Sequence, residues 1–122
     1  MDAIDYTTEI IDSIKTYIEI NNDLTVKNIY VYLNLNISNN FTYINESEYV
    51  DIEYEIANTI KPYIANINME KINNNCYKIT IQFLGYYKNV DEKIIKIKQT
   101  LKFLINNYYS RPCKKVKKAI VL

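Results

Sequence analysis

This chain of 122 residues has no His and one Gly, so it is poor in the residues on which many catalytic and phosphate-binding sites depend. Without His it lacks the commonest general base, the commonest metal ligand and the Ser-His and Cys-His nucleophile pairs. The single Gly85 excludes the Rossmann and P-loop phosphate cradles, which need several glycines for close backbone approach. We therefore predict no catalytic residue, no metal and no cofactor, and a protein that is not an enzyme.

The two cysteines, Cys76 and Cys113, lie far apart in the sequence and form no CxxC pair, so they cannot build a standard structural zinc site. We expect both thiols to be free, in a reducing compartment. The chain start lacks the basic and apolar runs of a signal peptide, and no window approaches about 18 consecutive apolar residues. These patterns predict an intracellular protein that does not enter a membrane.

Carboxylates are the remaining groups that could do chemistry. Glu48, Asp51 and Glu55 share one face of a helix at spacings i, i+3 and i+7. Such a face could hold a hard cation or take part in acid–base work. A solvated helix face is the simpler interpretation, and the same three residues are candidates for contacts with a protein partner.

The C-terminal segment is the most basic part of the chain. It holds five cationic side chains within eight residues: Arg111, Lys114, Lys115, Lys117 and Lys118. Clustered cations can contact phosphates and give salt-sensitive binding of nucleic acid. The competing interpretation is that these lysines guard an edge strand against pairing with other sheets.

Tyr30 and Tyr32 are candidates for stacking on nucleic-acid bases, because both point away from the core if the segment around them is a strand. The facing positions on a neighbouring strand are not aromatic (Lys78, Thr80 and Gln82), and the RNP1 pattern of RNA-recognition modules is missing. Alternatively, an N-terminal helix covers the two tyrosines, or they pack in a dimer.

The first element that should position these residues is an amphipathic helix over residues 5–20. Its apolar stripe contains Ile10, Ile11, Ile14, Tyr17 and Ile18 at helical spacing. This stripe must be buried on the sheet or against another subunit. Ile10, Ile14, Tyr17 and Ile18 are therefore candidate contacts of a homodimer.

Residues 27–37 are the clearest strand, because aliphatic side chains alternate with Tyr and Asn over the whole segment. A competing interpretation makes residues 25–35 the second helix of a helix-turn-helix, as in a winged helix. Next, Asn45 and Glu48 form a capping box that opens a second helix, and Pro62 ends it.

Residues 63–72 and 76–87 alternate as the two arms of a hairpin, joined by three consecutive asparagines. A long helix over residues 90–108 follows, with an apolar stripe at Ile94, Ile97, Leu101, Leu104 and Tyr108. Residues 115–122 end in a short apolar run that could form a last strand within the basic tail, residues 110–122.

These elements predict one α+β domain over residues 1–122, with an N-terminal helix within residues 1–22 and the order α-β-α-β-β-α-β. The last six elements have the order of a ferredoxin-like split βαβ sheet, with both helices on one face. A profilin-like or roadblock-like α+β fold is the alternative if residues 41–45 form a strand.

The net charge of +1 gives no whole-molecule preference for a partner. Ile, Asn, Lys and Tyr make up more than half of the chain, which indicates an AT-rich genome. We expect a homodimeric viral or mobile-element accessory factor that binds a protein partner stoichiometrically, through the sheet face or the acidic helix. The alternative is a nucleic-acid-binding protein that uses the basic tail with Tyr30 and Tyr32.

Overall fold

A computed structural model describes residues 10–36 and 44–108. Within them the chain forms four β-strands and two α-helices, which is the α+β class predicted from the sequence. The strands are β1 (Ile11–Ile20), β2 (Val26–Leu35), β3 (Ile64–Asn73) and β4 (Cys76–Phe83). The helices are α1 (Glu46–Ile60) and α2 (Val90–Tyr108), and a short 3-10 helix, Tyr87–Asn89, precedes α2.

The four strands form one antiparallel sheet in the order β1-β2-β4-β3. Because β4 lies between β2 and β3 and is antiparallel to both, β2 and β3 run in the same direction. Helix α1 makes the connection between these two parallel strands. The predicted succession of strand, helix, two hairpin strands and helix over residues 27–108 is therefore confirmed.

Strand β2 shows why the sheet has one apolar face. Ile29, Val31 and Leu33 have no exposed surface, whereas Tyr30 and Tyr32 alternate with them and lie half-buried on the other side. Successive side chains of a strand point to opposite faces, so the alternation of residue types fixes which face is covered. The helix-turn-helix interpretation of residues 25–35, and with it the winged helix, is wrong.

Both helices pack on that apolar face and contact each other. Helix α1 begins at the predicted capping box, in which Glu48 Oε1 accepts a hydrogen bond of 2.9 Å from the Asn45 backbone N–H. Its buried stripe is the predicted one: Tyr49, Ile52, Ile56 and Ile60. On α2 the predicted stripe is also buried at Ile94, Ile97, Leu101 and Leu104.

The predicted N-terminal helix is wrong, because residues 11–20 form strand β1. Ile14 and Ile18 pack against the core, while Tyr17, between them, lies on the other face of the sheet. A spacing of four residues returns to the same side of both a helix and a strand, so this pair could not distinguish them. The following Asn21 begins a hairpin turn instead of ending a helix, since its backbone N–H donates to Thr25 O at 2.8 Å.

The predicted order α-β-α-β-β-α-β, and with it the ferredoxin-like sheet, is therefore not confirmed, since the described residues run β-β-α-β-β-α. Strand β1 pairs with β2 at the sheet edge. The predicted last strand, residues 115–122, lies outside the described residues. The profilin-like or roadblock-like alternative depends on a strand over residues 41–45, of which residues 41–43 also lie outside the described residues. Neither described helix has a segment apolar enough to cross a membrane.

Candidate functional site

The side of the sheet opposite the two helices carries the candidate site, and we call it the open face. Its side chains come from alternate positions of all four strands: Lys15, Tyr17 and Glu19 on β1, Asn28, Tyr30, Tyr32 and Asn34 on β2, Cys76, Lys78, Thr80 and Gln82 on β4, and Asn66, Asn68 and Glu70 on β3. The positions predicted for Tyr30, Tyr32, Lys78, Thr80 and Gln82 are confirmed.

Strand register places the tyrosines and lysines in two neighbouring rows. Tyr32 lies opposite Lys15 on one side and opposite Lys78 on the other. In the next row Tyr30 lies opposite Tyr17. Directly opposed side chains on one face of an antiparallel sheet are close enough to interact, so the pairing of β1 with β2 brings three aromatic rings together.

The rings and the lysine side chains make specific contacts. Tyr17 and Tyr32 meet edge to face, with ring centroids 5.6 Å apart and an interplanar angle of 81°. Lys78 Nζ lies 5.0 Å from the ring centroid of Tyr30 and 5.8 Å from that of Tyr32. At these distances the negative faces of both rings attract the ammonium group. The cluster already holds one cation against π surfaces.

A hydrogen-bond network fixes Tyr30 at one end of the cluster. The Tyr30 hydroxyl donates to Glu19 Oε1 at 2.7 Å, and Asn28 Nδ2 donates to the same oxygen at 3.0 Å. The hydrogen bonds from Asn28 and Tyr30 hold the pKa of Glu19 below its usual value. The hydrogen bond to the Glu19 carboxylate in turn raises the pKa of Tyr30. The ring therefore has a fixed orientation and a hydroxyl that is protonated at neutral pH.

A groove of about 440 Å³ runs along this part of the open face. Cys76 lines it with a free, buried thiol whose pKa is raised by burial. A raised pKa keeps the thiol protonated and a poor nucleophile. The groove can accept a flat, uncharged or anionic group between rings and ammonium groups. It is lined by Lys15, Tyr17, Tyr30, Tyr32, Asn34 and Cys76.

The acidic residues singled out from the sequence lie elsewhere, on α1. Glu48 serves the capping box, while Asp51 and Glu55 are exposed. Among residues 10–36 and 44–108, no group of three or more Cys, Asp or Glu side chains could hold a metal ion. Val50 and Tyr54 are also exposed on α1, at 66% and 62%.

The remaining predicted site residues are the cations of the basic tail and the candidate dimer contacts. Arg111, Lys114, Lys115, Lys117 and Lys118 lie outside the described residues, as does Cys113. Of the predicted dimer contacts, Ile10 is buried in the core, Ile14 and Ile18 are partly buried against it, and Tyr17 is on the open face. The prediction that these four share one helical stripe is therefore wrong.

The sequence reasoning missed the contribution of β1 to the site. Lys15, Tyr17 and Glu19 alternate with Ile14, Thr16 and Ile18, and this period of two was the available signal. Which residues of β2 they face depends on the register between the strands. Because β1 and β2 form a hairpin, that register is set by the turn that begins at Asn21, and this turn could be identified only if residues 11–20 were recognised as a strand.

No protein-family model, curated protein or solved structure matches this chain. The fold and the site alone define its class. It is a small α+β protein whose antiparallel sheet is covered by two helices on one face. The other face carries a groove lined by three tyrosines and Lys15, with Lys78 over two of the rings.

Proposed function

We propose that this protein is a non-catalytic binding protein that binds single-stranded nucleic acid on the open face of its sheet. One observation carries the proposal: Tyr17, Tyr30 and Tyr32 lie side by side in the groove, with Lys15 and Lys78 beside them. Aromatic rings on a sheet surface stack on unpaired bases, and adjacent cations contact the phosphates between them. The expected mode is stoichiometric binding without chemistry.

The presence of strand β1 where a helix was expected supports this proposal. A helix over residues 5–20 that covers Tyr30 and Tyr32 was one of the two alternatives to base stacking, and packing in a dimer was the other. Residues 11–20 instead extend the same sheet and add Tyr17 and Lys15 to its open face. Tyr17 is 55% exposed, which leaves ring surface for a ligand.

Lys78 has a defined part in the proposed mode. Its ammonium group occupies the region over Tyr30 and Tyr32 that a base would need. An incoming base displaces the ammonium from the ring faces, and the long side chain then reaches a backbone phosphate. Lys78 thus exchanges a cation–π contact for an ionic one, which limits the cost of uncovering the rings.

Fluorescence anisotropy with a labelled single-stranded oligonucleotide tests the proposal. Tyr32→Ala should weaken binding about 5- to 150-fold, the loss expected for one base–aromatic stack. Tyr54→Ala is the matched control, because Tyr54 is an exposed tyrosine on α1. Lys78→Ala should reduce the salt dependence by about one phosphate contact. Absence of binding at low salt, or equal losses for Tyr32→Ala and Tyr54→Ala, would contradict the proposal.

A second candidate function is binding of a protein partner through α1. Val50 and Tyr54 are exposed apolar side chains beside the exposed carboxylates of Asp51 and Glu55. An apolar centre with an acidic surround suits a partner with a basic rim. In this case Tyr54→Ala should abolish co-purification of a defined partner, and Tyr32→Ala should leave it unchanged.

A further inference from the structure

The sheet has two edges, and they differ in how their backbone groups are used. At the β3 edge, Glu53 Oε2 of α1 accepts a hydrogen bond of 2.7 Å from the Met69 backbone N–H. Irregular pairing does not distinguish the two edges, because both β3 and β1 have a register shift near each end. A charged side chain from a covering helix is one way in which proteins prevent an edge strand from pairing with another chain.

Strand β1 forms the other edge of the sheet. Between its two register shifts, from Ser13 to Glu19, its pairing with β2 is uninterrupted, so this stretch is regular and extended. Within the described residues no strand lies beyond β1. A regular edge strand presents a row of backbone donors and acceptors to any strand that can lie beside it.

The side chains of β1 indicate which strand could pair with this edge. On the open face they read Lys15, Tyr17, Glu19, with opposite charges two residues on either side of the tyrosine. In an antiparallel pair of identical strands centred on Tyr17, each Lys15 lies opposite the Glu19 of the other copy. Opposite charges directly across a strand pair stabilise it, and like charges destabilise it. The charge pattern of this strand is therefore complementary to itself.

We propose that a second copy of this chain pairs its β1 strand with β1 in antiparallel orientation, with the two-fold axis beside Tyr17. Two-fold symmetry relates most homodimers, and the same patch then serves both copies. On the helix-covered side, Thr16 of each copy lies opposite Ile18 of the other. The pairing also covers part of Tyr17 and Ile20, which are 55% and 42% exposed in one chain.

Pairing of this kind joins the two sheets into one of eight strands. The two-fold axis of an antiparallel strand pair is perpendicular to the sheet, so both open faces lie on the same side. The tyrosines of the two copies would then form one surface centred on the two Tyr17 side chains. Dimer formation does not rest on the proposed ligand, and it is measured without nucleic acid.

Charge reversal tests the pairing in the full-length chain by sedimentation equilibrium. Lys15→Glu places like charges opposite each other twice per dimer and should raise the dimer dissociation constant about tenfold or more. The double variant Lys15→Glu/Glu19→Lys restores opposite charges in the proposed register and should regain most of the lost affinity. Lys102→Glu, at an exposed position on α2, is the matched control and should leave the constant unchanged.

Disulfide cross-linking tests the register. Opposed Cα atoms at the two-fold axis are about 4.5–5.5 Å apart, within the range that a disulfide spans. In a Cys113→Ser background, Tyr17→Cys should form a covalent dimer under mild oxidation, and Cys113→Ser alone should not. Cross-linking of Thr16→Cys in preference to Tyr17→Cys would overturn the register. A full-length chain that is monomeric at the highest attainable concentration, as expected if another part of its own chain paired with β1, would overturn the proposal.

Discussion

The two faces of the sheet are built from the same strands but have opposite properties. On β4, Ile79 and Ile81 have no exposed surface and contact the helices, whereas Lys78, Thr80 and Gln82 alternate with them on the open face. The covered face holds the fold together through buried apolar area. The open face is supported by that core. Its side chains are not needed to bury apolar area and are therefore available for binding.

The largest expected effect is on the covered face. Ile79→Ala should lower the free energy of unfolding by about 2–5 kcal/mol, because it removes buried methyl groups and leaves a cavity. Thr80→Ala, one residue further on the opposite face, should cost less than about 1 kcal/mol. Urea unfolding at a fixed protein concentration gives both values. Similar losses for the two variants would refute the distinction between the faces.

Removing the hydroxyl oxygen of one tyrosine on each face repeats this comparison with a smaller change. Tyr77 is fully buried, and its hydroxyl accepts a hydrogen bond of 2.7 Å from the Ile44 backbone N–H. Tyr77→Phe should cost about 1–3 kcal/mol, because the buried N–H loses its acceptor.

Tyr32→Phe, on the open face, is the control for this oxygen deletion and should change the free energy of unfolding by less than about 0.5 kcal/mol. Both values come from urea unfolding under the same conditions. An equal loss for the two variants would show that the open-face hydroxyl is also structural, which would weaken the case for a binding role.

The covered face could be predicted from the sequence because its signals are local. The alternation of Ile29, Val31 and Leu33 with polar and aromatic residues gave β2 and its buried side. Asn45 and Glu48 marked the start of α1 through a cap that lies within four residues. These signals work because burial and capping follow from the period of each element and from neighbouring residues.

The open-face positions on β2 and β4 could be predicted, but those on β1 could not, because residues 11–20 were expected to form a helix. Ile14 and Ile18 fit a helical spacing, and the polar turn after them fits both a helix end and a hairpin. Tertiary pairing with β2 decided between these structures. The contacts of Tyr17 with Tyr32, and of Lys78 with two rings, arise from strand register and could not be read from any one segment.

The smallest expected effect concerns the hydrogen bond that fixes Tyr30 on the open face. Glu19→Gln removes the carboxylate that accepts from the Tyr30 hydroxyl, so the pKa of Tyr30 should fall towards its usual value. The ring-carbon NMR shift of Tyr30 across alkaline pH measures this change. Tyr49, whose pKa is raised by burial, is the internal control and should titrate as before.

The sign of each pKa shift defines the pH window in which this hydrogen bond stabilises the open face. The pKa of Glu19 is lowered by folding, so its contribution is present above its unfolded value and is lost as the pH falls through the folded one. The pKa of Tyr30 is raised, so its contribution is lost as the pH rises through the folded value. Glu19→Gln should remove both the acid limit, set by Glu19, and the alkaline limit, set by Tyr30. An unchanged Tyr30 titration in Glu19→Gln would mean that the carboxylate does not hold the ring, and that the covered core alone positions the open face.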